Sequence, residues 1–155
     1  MRPSWDEVWS SFAKTIAMRS IDPRSKVGAI IVKNDRIISI GYNGMPIGWD
    51  NNCEDEVTER EICFLDQGGP GMPIEITKLV TKPEVLHAET NAIAKLAKSN
   101  ESGDGAVLFV THAPCLDCAK LVYQSGLNSV FYRNSYRDDS GIQFLKKAGL
   151  QVDKI

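Results

Sequence analysis

Near the amino terminus Trp5, Val8, Trp9, Phe12 and Ile16 recur at the spacing of one helical face, and Ser4 followed by Glu7 forms a capping box ahead of them. The pattern predicts a helix from about Ser4 to Ser20. Asp22 and Pro23 close it, because the residue before a proline is pushed out of the helical region. The period then changes. Val27 to Val32 is a short apolar, β-branched run, Asn34 and Asp35 carry turn chemistry, and Arg36 to Gly41 contains Ile37, Ile38 and Ile40. Together these predict a β-hairpin. The next stretch, GYNGMPIG from Gly41 to Gly48, has too many glycines for regular structure and predicts a loop that brings backbone close to a neighbour.

From Trp49 to Leu86 the periodicity weakens. Glu54 to Leu65 is compatible with a helix, after which Gly68, Gly69, Pro70 and Gly71 break the chain, so the stretch at about 49–86 reads as an irregular insertion. Beyond it the order is regular. Helices are expected at about His87 to Lys98, Cys115 to Ser125 and Ser140 to Ala148, and strands at Ala106 to Thr111, Ser129 to Tyr132 and Leu150 to Asp153. That alternation predicts an α/β sheet with helices on both faces.

The chain has 155 residues and 43% hydrophobic content, enough for one domain, residues 1–155, with a sizeable core and one principal site. Its 18 Lys and Arg against 20 Asp and Glu leave a net charge of -2 with no basic stripe. A nucleic-acid partner is therefore not expected, since phosphate neutralisation supplies most of the affinity for a polyanion. No segment has membrane-spanning length, and MRPSWDEVWSSFAK has the apolar core of no signal peptide, which predicts a cytoplasmic protein without a membrane partner. In that compartment four cysteines are expected to be thiols or metal ligands.

The chemistry concentrates in two segments. His87 and Glu89 stand in an HAE triplet, and Cys115 and Cys118 in PCLDC. A hydrolytic zinc site needs three N or S ligands and one position left open for water, which His87, Cys115 and Cys118 supply. Each is predicted at a helix start, where unpaired N–H groups favour thiolate over thiol, and Pro114 suits that placement. Glu89 is then the proton carrier, taking a proton from water and delivering protons to a pyrimidine ring nitrogen and amino group. Alone, CxxC also fits a redox pair or half of a structural zinc site; H-x-E followed by P-C-x-x-C is the signature of zinc nucleobase deaminases.

Beyond these two segments, DPRSKVGAIIV from Asp22, GYNGMPIG from Gly41, HAETNAI from His87, VTHAPCLDCAK from Val110 and FYRNSY from Phe131 resemble the deoxycytidylate (dCMP) deaminase family of the cytidine deaminase superfamily over nearly the whole chain. The resemblance implies a three-layer α/β/α sandwich around a five-stranded mixed sheet. It implies conversion of dCMP to dUMP and ammonia, which feeds thymidylate synthesis, in a homohexamer activated by dCTP and inhibited by dTTP with Mg2+. Carried over to this chain, Asn43 would bond the substrate sugar, the Ala88 amide the pyrimidine carbonyl, and Tyr136 would line the nucleotide pocket.

Arg24, Ser25 and Lys26 are the candidates for the phosphate, because a monoester dianion needs nearby donors; Arg24 and Lys26 flank a strand and also fit a solvated surface. Asn43 equally fits a plain turn former, and His112 either overhangs the pocket or caps a strand. Gly44, Gly48 and Trp49 are the candidates for an effector triphosphate, received by backbone N–H groups. Some members hold a second, structural zinc. Here Cys53 matches one of its positions, but Met18 to Asp22 has no cysteine and the insertion no histidine, so one zinc per chain is expected. The rival readings are a deaminase of another free cytosine nucleoside or nucleotide, and a catalytically silent nucleotide-binding regulatory subunit.

Overall fold

Ser4 caps the first helix as its spacing to Glu7 predicts: the Glu7 N–H donates to Ser4 Oγ at 3.2 Å and the Ser4 N–H donates to Glu7 Oε2 at 2.7 Å. In the computed structural model, which describes residues 1–64 and 69–155, this helix, α1, spans Trp5–Ala17. Asp22 then folds the exit, accepting from the N–H groups of Arg24 and Ser25 at 2.8 and 2.9 Å. Strands β1 (Gly28–Lys33) and β2 (Arg36–Tyr42) form the expected hairpin. Asn34 and Asp35 both take positive φ, 50° and 55°, the backbone of a turn whose twist matches the strands.

The carboxyl-terminal half alternates as predicted: α2 (Ala88–Ala97), β5 (Val107–His112), α3 (Leu116–Gln124), β6 (Ser129–Asn134), α4 (Ser140–Lys147) and β7 (Gln151–Lys154). The five-stranded sheet has the order β2-β1-β5-β6-β7; β1 is antiparallel to β2 and β5, whereas β5, β6 and β7 run parallel. Side chains alternate across it. Ala29, Ile31, Leu108, Val110 and Val130 pack under α2, α3 and α4, while Ile30, Val32 and Phe109 pack under α1. The architecture is thus the three-layer α/β/α sandwich around a mixed sheet that the resemblance implied. The α1 face differs in detail: Trp9, Ala13 and Ile16 meet the sheet, but Trp5 is exposed and stacks on Trp9 with ring centroids 5.1 Å apart.

Two glycines set how closely the layers approach. A Cβ at Gly28 would fall on the Ala13 carbonyl of α1, and one at Gly41 on the Ala88 carbonyl and the Ala92 nitrogen of α2. The close backbone approach expected of the GYNG stretch is therefore made by its first glycine, against the helix that carries His87 and Glu89. Gly41→Ala should push α2 away from β2 and cost about 1–3 kcal/mol, the range for overpacking a filled core. Urea melts and zinc content together would check this, and a variant matching the parent in both would contradict the packing account.

The 49–86 stretch corrects the sequence reading. The helix compatible with Glu54 to Leu65 is not what the described part forms: Glu54–Cys63 is strand β3, paired antiparallel with β4 (Met72–Thr81) from Glu54 opposite Thr81 to Cys63 opposite Met72. Among the described residues the stretch forms a two-stranded ribbon, not an irregular insertion; Leu65 and Gly68 lie outside the described residues. The pairing partner of β3 lies beyond a break and carries β-branched residues, so what makes it a strand is not local. Across the ribbon Lys78 Nζ reaches Glu59 and Glu61 at 2.7 and 2.9 Å, and Thr58 faces Thr77 at 3.3 Å. No helix among the described residues is long and apolar enough to cross a membrane.

Candidate active site

His87 and Cys115 occupy the N-cap positions of α2 and α3, and neither side chain makes a capping hydrogen bond. Ser, Thr, Asp or Asn there would stabilise a helix by about 1 kcal/mol. Both helices forgo that stabilisation, and the side chains turn toward each other instead. Cys118, in the first turn of α3, completes the cluster: the ligating atoms of His87, Cys115 and Cys118 all lie within 4.8 Å of one another. His87 Nδ1 is 3.6 Å from Cys115 Sγ and 3.3 Å from Cys118 Sγ. Tetrahedral zinc, with Zn–N of about 2.0 Å and Zn–S of about 2.3 Å, places its N and S ligands about 3.5 Å apart, so the donor set fits that ion.

Glu89, in the first turn of α2, is only 4% exposed. Burial is the main reason its carboxyl is pushed up to about 7, while His87 pulls the other way. Without metal the cluster shares its protons unevenly. The Cys118 thiol, and after it His87, hydrogen-bond to Cys115 and pull its thiol down to about 4. The same contact, with burial, raises Cys118, and the bond to Cys115 raises His87. A divalent cation must therefore displace protons from Cys118 and His87 as it binds. Thr90 Oγ1 lies 3.7 Å from Cys118 Sγ and can donate to it as a thiolate, a contact that no motif in the sequence announces.

These groups open on a cavity of about 410 Å³. Its walls come from the turn after α1, the loop after β2, the base of the ribbon and the loops at the carboxyl ends of parallel strands β5 and β6. The carboxyl ends of strands are where open α/β sheets take their ligands. Of the residues singled out from the sequence, His87, Ala88, Glu89, Cys115, Asn43, Tyr136, Arg24, Ser25 and His112 line it. Burial holds His112 below its ordinary range, and its Nδ1 sits 3.0 Å from Thr111 Oγ1.

Other expectations change. Asn43 is more than a turn former: its Nδ2 donates to the Ser25 carbonyl at 2.7 Å, and its Oδ1 accepts from the Val27 N–H at 2.8 Å, tying the GYNG loop to the start of β1. Arg24 is committed to the ribbon, donating from Nε to Glu54 Oε1 at 3.0 Å, from Nη1 to the Leu79 carbonyl at 2.9 Å and from Nη2 to Thr81 Oγ1 at 2.6 Å. Lys26 is not part of the cavity wall.

The N–H groups of Gly44 and Trp49 are also taken, by the carbonyls of Leu86 and Pro46 at 3.1 Å each, so they are not free to receive a phosphate; Gly48, with φ of 86°, supports the turn between them. Sequence reasoning missed Glu54 and Arg137 in the wall. Glu54 Oε2 is buried without a hydrogen-bond partner among the described residues.

The sequence pattern described as "Cytidine and deoxycytidylate deaminase zinc-binding region" matches residues 3–134. The chain belongs to this family of zinc-dependent deaminases. Within it, the chain is 38% identical to the human deoxycytidylate deaminase over 138 residues, 88% of this chain and 68% of that one. It is 37% identical over 133 residues to the deoxycytidylate deaminase of Mycobacterium phage D29, covering 84% of this chain and 95% of the phage protein. A crystal structure of the dCMP deaminase from cyanophage S-TIM5, in complex with dCMP and dUMP, superposes with a TM-score of 0.80 at 42% identity, covering 100% of this chain and 99% of that one. His87, Cys115 and Cys118, within the matched region, form a cluster that could hold a metal ion.

Proposed function

We propose that this deaminase hydrolyses dCMP to dUMP and ammonia, with one zinc ion per chain. The observation that carries the reading is the convergence of three N and S ligand atoms within 4.8 Å beside a buried carboxyl at the wall of a cavity. The relatives named for dCMP, similar across most or all of this chain, support the substrate. A dead regulatory homologue would have no chemical need of the complete set.

His87, Cys115 and Cys118 would hold the zinc, which when bound would supply the Lewis acidity that makes water a nucleophile near neutral pH. The chain's own residues do the rest. Glu89 would take one proton from the attacking water and deliver it to N3 of the pyrimidine, which makes C4 electrophilic as the water oxygen bonds to it; it would then move the remaining proton of that oxygen to the amino group, so that the C4–N bond breaks and ammonia leaves. The Ala88 N–H orients the pyrimidine carbonyl, Tyr136 lines the nucleotide, and the Asn43 amide hydrogen left over from its backbone contact meets the sugar. Ser25 stands at the same wall as a further hydroxyl donor.

The regulatory part of the reading is a homohexamer activated by dCTP and inhibited by dTTP with Mg2+. With the Gly44 and Trp49 N–H groups engaged, Gly48 and the Trp49 ring remain as the loop's contacts for such an effector. One assay tests both levels: ammonia release by zinc-loaded protein from dCMP, deoxycytidine and dCTP, with and without dCTP or dTTP at saturating Mg2+. We expect dCMP to be the preferred substrate, raised by dCTP and suppressed by dTTP. No release from dCMP would refute the activity; release that ignores both triphosphates would remove only the regulation.

A further inference from the structure

Thr90 lies in the first turn of α2, one residue beyond Glu89. Hydroxyls on helices commonly donate to the carbonyl four residues back, as Ser11, Thr15 and Ser125 do at 2.9, 3.0 and 2.6 Å. For Thr90 that carbonyl belongs to Leu86, which precedes the helix and accepts from the Gly44 N–H at 3.1 Å. The Thr90 hydroxyl turns across to α3 instead and meets Cys118 Sγ at 3.7 Å.

The two sulfurs of the cluster differ in what can reach them. Cys115 is part-exposed, stands on the cavity wall and accepts from the Cys118 N–H. Cys118 is 3% exposed and is not part of that wall. Two side chains besides Thr90 lie against its sulfur: Cys115, and His87 with Nδ1 at 3.3 Å. Neither can donate to it once a metal ion is bound, because a ligating imidazole nitrogen carries no proton and a coordinating thiol is deprotonated outright. Thr90 is then the side-chain donor left to Cys118 among the described residues. A buried anionic sulfur with no donor is costly, since it loses water without replacement.

We propose that Thr90 is a positioning residue whose hydroxyl donates to the Cys118 thiolate in the metal-loaded protein, in place of the water that burial keeps away, and so tightens the hold on zinc. This role rests on the zinc reading of His87, Cys115 and Cys118 and goes beyond it by naming the group that stabilises one ligand. Groups that hydrogen-bond to metal ligands in this way are typically worth about ten- to hundred-fold in metal affinity.

Two substitutions separate the hydroxyl from the shape of the side chain. Thr90→Val keeps the branched outline and has no donor, whereas Thr90→Ser keeps the donor and loses a methyl group. Zinc affinity, read by competition with a chromophoric chelator, should fall about ten- to hundred-fold in Thr90→Val and return close to the parent's in Thr90→Ser. Replacing zinc with Co2+ gives a readout that does not depend on turnover. A hydrogen bond lowers the energy of the sulfur electrons, so the sulfur-to-cobalt charge-transfer band should move to longer wavelength in Thr90→Val and stay in place in Thr90→Ser. A Thr90→Val protein that matches the parent in both affinity and band position overturns the assignment. A loss of affinity shared equally by both variants, with neither band moved, also overturns it, by reducing Thr90 to packing. A parent protein that takes up neither zinc nor cobalt would instead remove the metal reading on which the role rests.

Discussion

Replacing Glu89 with glutamine is expected to leave zinc content unchanged and to lower dCMP turnover by about a hundred- to ten-thousand-fold, the range that general acid–base catalysis contributes. Glutamine keeps the size of the side chain and its place in α2 but cannot carry a proton. Because Glu89 is buried, the same substitution has a second consequence in zinc-free protein. Burial raises the carboxyl from its ordinary 4.5 to about 7. Between those values the unfolded chain has released the proton and the folded chain has not, so the folded state binds more protons and stability falls as pH rises.

The penalty is absent below about pH 4.5, where both states are protonated, and complete above about pH 7, where it reaches about 3 kcal/mol. Glutamine does not titrate. Chelated Glu89→Gln should therefore be more stable than the chelated parent at pH 8, with the difference gone near pH 4. Chelated protein is the right sample, because a bound dication favours the carboxylate and would mask the effect. Urea melts across pH read this directly. Parallel profiles would show that burial does not hold the proton, and substantial residual turnover would show that Glu89 does not carry it.

The same burial explains which parts of the protein were legible from sequence. Elements specified by neighbours along the chain were readable: the Ser4 and Glu7 box, the Asn34–Asp35 turn, and the alternation from His87 onward each bring their own local signal. The convergence of His87, Cys115 and Cys118 was readable too, because coordination chemistry admits few residue types and the fold places them at two helix starts. The ribbon was not. Strand β3 is specified by pairing with β4, across a glycine-rich break, and its acidic residues resemble a helix until Lys78 and Thr77 are set opposite them. The surroundings of the phosphate candidates were hidden for a related reason. Sequence locates Arg24 next to the right loop but cannot show that Glu54, thirty residues away, has already claimed it.

The second large effect is expected at Cys118. It is the most buried of the three ligands and the one whose thiol is held protonated when no metal is present, by its hydrogen bond to Cys115 and by burial. Alanine fits that space and removes the sulfur, leaving His87 and Cys115 as two donors where an open tetrahedral site needs three. Cys118→Ala should lose its zinc on dialysis and show no measurable ammonia release. Its loss should also appear in stability. A ligand that binds only the folded state stabilises it in proportion to the logarithm of its concentration over Kd, about 4 kcal/mol at a thousand-fold excess. The parent should therefore melt at a markedly lower temperature after chelation, recover with added zinc, and take up zinc less tightly as pH falls, because protons compete for the same sulfurs. Cys118→Ala should give one melting temperature with and without zinc. A variant that still holds one zinc per chain would mean that the metal is bound by a different set of side chains, and the proton inventory drawn for His87, Cys115 and Cys118 would fall with it.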